Sequence, residues 1–413
     1  MKTMIPRERV YKALNHQEPD RIPICFGGTP NSGIEECPPI YCAASDLYKY
    51  LGLKNTSPVI LNPICNVVAN IDEQCLVRLH SDMRLVTDNP PRPVVIDDRH
   101  KIWPFFYGGR IVKCGLYEQI DFSDPPMIHL KTEKDIQEYP YWPDPQANIM
   151  NGVVERARKL HEETDYFICG SQSSGHFPLN GYGLVSGMEK WLLDMKTEPA
   201  FYHRLCEKFM EINMVFTDKF YGEIGQYLDA AMVYDDLGSQ SGPLMSLADY
   251  RKFYKPYQEE IIKRIKTYLR PEAKIILKSC GSIFQFIPDL IEIGVDVLSP
   301  VQPLAKNMEP WRLKKEFGKD LSFLGGFDLQ RLLPFGSVDQ IMKGVRILNN
   351  EFAKGGGYIF GASYIIQCNI PPDKIVAMFD TAYEFGEYPI LEDLKETSFV
   401  DYIGDLDLTI NLP

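Results

Sequence analysis

The segment 275-IILKSCGSIFQFIPDLIEIGVDVLSP-300 constrains the fold more than any other stretch of the chain. Ile275, Ile276 and Leu277 form a short apolar strand run that Gly281 ends. Ile283, Phe286, Ile287, Leu290 and Ile291 then recur at helical spacing, one face of an amphipathic helix. Gly294 stands at the left-handed stop position, and Val295 opens the next strand. A connection of this length joins parallel strands rather than a hairpin. Lys278 and Cys280 sit where the strand hands over to its loop, the edge at which parallel α/β proteins place their chemistry.

The same unit recurs from residue 165 onward. Strands are expected over 166–169, 230–234, 275–277, 296–299, 321–324 and 358–360, each opening into a glycine-rich or polar loop. Residues 21–26, ahead of Gly27 and Gly28, add a seventh, and a weaker eighth falls within 76–86. A long helical stretch runs from Met188 to about Gly225 with a break at 197–199, and Ser246 caps the helix over 246–269 with Asp249 at the capping-box position. Alternating β and α units of this number predict an α/β fold, a (β/α)8 TIM barrel. Residues 29–165 suit a single barrel turn poorly, being rich in proline and aromatics such as Trp103, Phe105, Phe106, Tyr107 and Trp142. An elaborated insertion at about 85–145, with a small antiparallel sheet covering the barrel mouth, is expected inside one domain spanning 1–413.

With 45% hydrophobic residues in 413, a large core is within reach. The net charge of −12 argues against a nucleic-acid footprint and against a polybasic membrane patch. No apolar run approaches the roughly 18 residues of a membrane span, and the opening MKTMIPRERVYKALNHQEPDR lacks a signal-peptide core. A cytoplasmic location is expected. The ten cysteines are scattered without a CxxC pair, so most are expected to be reduced and buried. None of the seven histidines lies beyond His203, which leaves half the chain without an imidazole.

The strings 6-PRERVYKALNHQEPDRIPI-24, 142-WPDP-145, 187-GMEKWLLDMKTEP-199, 234-YDDLGSQSGPLMS-246, 278-KSCGS-282, 288-PDLIEIGVDVLSPVQ-302, 325-GGFD-328 and 355-GGGYIF-360 occur in one order along the chain. Together they resemble the uroporphyrinogen decarboxylase superfamily, in the longer branch that includes corrinoid-dependent, methylcobamide-type methyltransferases. The resemblance implies a (β/α)8 barrel. It also implies transfer of a methyl group from a small methylated donor, such as a methoxylated aromatic, to the cobalt of a corrinoid carried by a partner protein. A decarboxylase-like activity and a catalytically silent ligand-binding barrel are the alternatives, and a homodimer stays open. The decarboxylase proper grips its carboxylates with arginines after the first strand. The corresponding loop here, 26-FGGTPNSGIE-35, has none.

Zinc-dependent members of the branch end the fifth strand with His-x-Cys and take a third ligand after the last strand. This chain keeps Cys280 but has Lys278 in place of the histidine, and Tyr364 aligns with the third ligand. Two readings follow. Zinc is held by a rearranged set such as Cys280, Asp236, His176 and Cys368, or the site is metal-free and Lys278 with Tyr364 acts as an acid or hydrogen-bond pair near a carboxylate. Asp235 and Asp236 end the fourth strand on opposite faces, so one is expected to enter the mouth while the other caps the next segment, and Asp236 is taken as the catalytic one. Asp82, in HSDMR, matches the aspartate with which the decarboxylase holds its substrate. It is expected at the barrel mouth, with His176, Asn180, Tyr182 and Asp328 also facing substrate. For Asp328 the competing role is a helix cap, for Cys280 core filling, and for the 103–107 aromatics core packing rather than a wall against substrate.

Overall fold

The computed structural model describes residues 3–36, 43–54, 56, 67–114, 117–121, 123–172, 178–390 and 397–406. Eleven strands occur among them. They are β1 Met83–Thr87, β2 Val94–Val95, β3 His100–Trp103, β4 Gly109–Cys114, β5 Tyr117–Ile120, β6 Phe167–Ser171, β7 Ala230–Tyr234, β8 Lys274–Lys278, β9 Val297–Val301, β10 Ser322–Phe327 and β11 Tyr358–Ala362. Seven of them form one parallel, curled sheet in the order β1-β6-β7-β8-β9-β10-β11. Each neighbouring pair is joined by a crossover that carries a helix, as right-twisted parallel strands require.

Two strand expectations exchange places. The weaker one, within 76–86, overlaps a regular strand at Met83–Thr87 at its C-terminal end and the helix Glu73–Arg78 at its start. Residues 21–26 instead form an irregular segment, joined to β11 by a single parallel bridge, Ile24 to Phe360. Its backbone still bonds on both sides. The Cys25 N–H donates to Phe360 (2.8 Å), and the Asp82 N–H donates to Ile24 (2.8 Å). Pro23 has no N–H, which limits how regular a ladder the segment can make.

Alternation along the strands separates two cores. Met83, Phe167, Cys169, Ala230, Met232, Ile276, Val297, Leu324 and Ile359 point into the sheet's concave side. Val10 and Leu14 of the helix Pro6–Leu14 join them at the strands' N-terminal end. The opposite faces pack on the surrounding helices in a second, larger cluster. The period of two carries Ser171, Tyr234, Lys278 and Ser299 to the inner face one step past this apolar layer. The register Tyr234–Lys278–Ser299 places three of them side by side. The interior is therefore apolar at its base and polar at the strands' C-terminal edge.

The strands β2, β3, β4 and β5 form a four-stranded antiparallel sheet in the order β2-β3-β4-β5. Its aromatics are core. Phe105 packs on Phe216 and Tyr107 on Phe209, both from the helix Pro199–Ile224, and Trp103, Phe105, Phe106 and Tyr107 are all buried. The long helical stretch splits at the expected break into Met188–Thr197 and Pro199–Ile224. The helix capped by Ser246 contains a π-turn at Tyr250–Tyr254 before Lys255–Lys266, beside Pro256, which cannot supply a ladder donor.

Candidate functional site

Lys278 ends β8 on the inner face, two residues after buried Ile276, so strand geometry directs its ammonium into the polar end of the interior. It meets Asp236, just beyond the end of β7, at 2.7 Å and 2.6 Å to the two carboxylate oxygens. The Lys278 side chain is 7% exposed and that of Asp236 34%. Burial acts to lower the Lys278 pKa, but Asp236, Cys280 and Tyr364 outweigh it and raise the value. Burial likewise acts to raise Asp236, and the Lys278 charge with its hydrogen bonds holds the carboxyl below its usual range. The pair is ionised at neutral pH.

The loop after β8 fixes this pair. The Cys280 N–H donates to Asp236 Oδ1 (2.8 Å), and Leu237 N–H donates to Ser279 Oγ (3.1 Å). The loops after β7 and β8 touch backbone to backbone at Gly238 and Gly281. A Cβ on Gly281, whose φ is +76°, would stand 2.6 Å from the Gly238 carbonyl carbon, and one on Gly238 would stand 2.6 Å from Ser282 O. Only glycine allows this approach.

Tyr364 lies near Lys278 as well, its ring centroid 5.5 Å from Nζ. Tyr364 also lines a cleft of about 400 Å³ formed by the segments after β9, β10 and β11. Gln302, Gln330, Gln367, Asn369 and Ser363 line it together with the apolar Leu329, Pro334, Phe335 and Ile365. Gln302 ties the cleft to the KSCGS loop, because its Oε1 accepts from the Gly281 N–H (2.9 Å). Sequence reading missed these amides. The signal was positional only, since each lies shortly after the end of a parallel strand.

Lys278, Asp236, Tyr364 and Cys280 come together as one cluster. Other expected residues do not join it. Asp82 precedes β1 and lies at the opposite end of the interior, buried between Arg9 (2.6 Å) and Arg21 (2.9 Å), where it also accepts from Ile24 N–H (2.8 Å). The expectation that it lines the mouth is corrected, because HSDMR leads into the strand rather than out of it. The aspartate at the C-terminal end of the same strand is Asp88, which is buried and acts on the electrostatics of Tyr234. Tyr182 is buried against Tyr202, and its hydroxyl donates to Asp194 (2.5 Å), so it serves helix packing rather than substrate contact. Asp328 accepts from the N–H groups of Arg331 and Leu332, both at 2.7 Å, which realises its capping role. Asp235 is buried and bonded by Gln258 Nε2 (3.0 Å), and burial pushes its carboxyl well above the usual range. His176 and the side chain of Asn180 lie outside the described residues.

A zinc ion does not fit the donors described. Among the described residues no group of three His, Cys, Asp or Glu side chains could hold a metal. Asp236 already faces an ammonium, and a dication beside Lys278 would be repelled by it. Burial pushes the Cys280 thiol up to about 12, so the thiolate a metal requires is disfavoured. Cys368 N–H bonds to Glu35 (3.2 Å) on a different segment. Among the described residues no helix is long and apolar enough to cross a membrane.

The chain is 27% identical to a uroporphyrinogen decarboxylase of Synechocystis, over 46% of this chain and 50% of the relative. It is 25% identical to a methylated-thiol–coenzyme M methyltransferase of Methanosarcina mazei, over 61% of this chain and 64% of that protein. The chain thus spans half to under two thirds of the length of these curated relatives. A solved methyltransferase from Methanosarcina mazei superposes with a TM-score of 0.60 at 17% identity, covering 92% of this chain and 99% of the other, which speaks to fold alone. The family model for uroporphyrinogen decarboxylase (URO-D) matches residues 119–385, nearly two thirds of the chain, and the chain belongs to that family.

Proposed function

We propose that the protein is a methyltransferase that moves a methyl group from a small methylated donor, such as a methoxylated aromatic, to the cobalt of a corrinoid on a separate protein. The carrying observation is the Lys278–Asp236 pair set against Tyr364 at the edge of an amide-lined cleft. Displacing an ether oxygen leaves negative charge on it, and a fixed cation near that oxygen stabilises the charge as it develops. The raised pKa of Lys278 suits it to hold its proton, so its role is electrostatic and hydrogen-bonding rather than general-acid. Tyr364, near Lys278 and lining the cleft, is the residue assigned to meet the leaving oxygen. Likeness to a methyltransferase over three fifths of the chain supports this reading.

We also read the fold as a complete (β/α)8 barrel within a single 1–413 domain, residues 21–26 acting as the eighth stave. The backbone bonds those residues make on both sides support it. Open barrel mouths of this kind suit docking of a corrinoid carrier, and a cytoplasmic location suits a reduced cobalt nucleophile.

A second reading, decarboxylation of a carboxylated substrate, draws on Asp88 at the mouth and on the decarboxylase relative. The mouth loop 26–35 has no arginine, and Arg9 and Arg21 are committed to Asp82 at the far end. Mixing the protein with cob(I)alamin and a panel of methoxylated aromatics, and following the cobalt absorbance, tests the first reading. If no donor methylates cobalt while uroporphyrinogen loses carbon dioxide, the second replaces it.

A further inference from the structure

The orientation of Gln302 is settled by its partners. Its Oε1 accepts from the Gly281 backbone N–H (2.9 Å) and from Gln240 Nε2 (2.8 Å). A backbone N–H can only donate, so the carboxamide oxygen must lie on that side and the amide cannot be flipped. Among the described residues its pair of Nε2 protons meets no acceptor, and Gln302 lines the cleft. The loop that holds it is rigidly seated, because Gly281 lies against Gly238 and the Ser282 N–H donates to Ser239 O (2.8 Å).

The remaining polar lining is neutral in kind. Gln330, Gln367, Asn369 and Ser363 offer dipoles, and Lys278 is not among the lining residues. Paired with Asp236 and near Tyr364, it can act on an oxygen that meets Tyr364 but not on a charge held among the amides. A carboxylate entering such a site would exchange its hydration mainly for dipoles, a poor exchange for a full charge. The nearest ammonium groups stand outside the lining, Lys278 paired with Asp236 and Lys374 bonded to the Pro334 carbonyl (2.7 Å). An uncharged ligand with ether, hydroxyl or carbonyl oxygens loses far less. Its oxygens match the amide donors, and its carbon frame can lie on Leu329, Phe335 and Ile365.

We propose that this cleft binds an uncharged, oxygen-bearing small molecule, and that Gln302 is the specificity residue that selects an oxygen acceptor on it. The proposal deepens the methyl-transfer reading and rests on it only in identifying the bound molecule as the methyl donor. A ligand so held would keep its oxygen on the side of the cleft that Gln302 shares with the KSCGS loop.

Three aromatic ethers that share the 1,2-dimethoxybenzene ring separate the possibilities: veratrole (neutral), veratrate (anionic) and veratrylamine (cationic). Calorimetric titration of the full-length protein is expected to give veratrole an affinity at least about tenfold above either charged analogue. Gln302→Glu keeps both accepted hydrogen bonds, removes the donor and adds a negative charge, so it is expected to weaken veratrole about tenfold. Gln302→Met, which removes the donor without adding charge, is expected to weaken it to a similar degree. Should the first variant unfold, the second carries the test. Veratrate binding as tightly as veratrole, no binding by any of the three, or unchanged veratrole affinity in the variant would overturn the proposal. If veratrole binds as expected yet never methylates cobalt, the methyl-transfer reading fails and the cleft assignment stands.

Discussion

Removing Asp236 strands a buried cation, and the size of the penalty follows from where the two charges sit. Exposed ion pairs contribute about 0–1 kcal/mol, whereas breaking a fully buried pair costs about 3–5 kcal/mol. Lys278 is enclosed and Asp236 one-third exposed, so the pair lies between these limits. Asp236→Asn is expected to destabilise the fold by about 2–3 kcal/mol, even though the amide oxygen can still accept from the Cys280 N–H. Lys278→Met leaves a carboxylate that water can reach, at about 1 kcal/mol. The double variant has no stranded charge and should cost about 1 kcal/mol, well short of the sum. Urea unfolding followed by circular dichroism measures the cycle. Additivity within about 0.5 kcal/mol would show that the two groups do not act on each other and would refute the reasoning. The pH dependence supplies an independent check. In the wild type the raised Lys278 pKa contributes stability throughout the range below the ordinary lysine value and loses it only as pH climbs through the folded pKa. In Asp236→Asn burial becomes the dominant influence and the lysine pKa falls. Stability should then rise with pH on the alkaline side, where the wild type stays level.

Three further outcomes can be measured on the same protein. Gly281→Ala places a Cβ 2.6 Å from the Gly238 carbonyl carbon at a left-handed φ, and should cost about 1–2 kcal/mol or more while weakening cleft ligands through Gln302. Burial pushes the Glu351 carboxyl up to about 7 while it accepts from the Phe399 N–H (2.7 Å). An acid raised above its unfolded value keeps a proton that the unfolded chain has released. Stability should therefore fall as pH rises from the ordinary glutamate range to about 7, and Glu351→Gln should abolish that slope and gain about 1–2 kcal/mol above neutral pH. Asp82→Asn leaves two guanidinium groups under-compensated and should cost about 2–4 kcal/mol, with veratrole affinity by calorimetry unchanged because the residue lies at the opposite end of the interior.

Strand periodicity carried most of the fold. The run 275–277 followed by Lys278 was enough to place a lysine at a strand's C-terminal edge, since a period of two leaves no other inner-face position. Pro23 explains why 21–26 looked like a strand yet makes only a bridge: apolar content was legible, the missing donor's effect on the ladder was not. The Asp82 error has a similar origin. A carboxylate next to a strand reads identically before and after it, and β1 turned out to start at Met83. Asp328 shows that a carboxylate at the correct edge can still be consumed by the backbone of the next turn. The amides of the cleft carry no titratable signature. They were invisible until Gln302, Gln330, Gln367 and Asn369 were seen lining one cleft.

The central claim is that Lys278, held by Asp236, supports methyl transfer at the barrel mouth. Stopped-flow absorbance of cob(I)alamin mixed with veratrole and either the wild type or Lys278→Met tests it most directly, with veratrole affinity of both proteins measured alongside. The account predicts methyl–cobalt formation by the wild type and a loss of at least about a hundredfold in rate in the variant, the scale expected when one stabilising donor is removed. Equal rates in the two proteins, or no cobalt methylation despite veratrole binding, would contradict it.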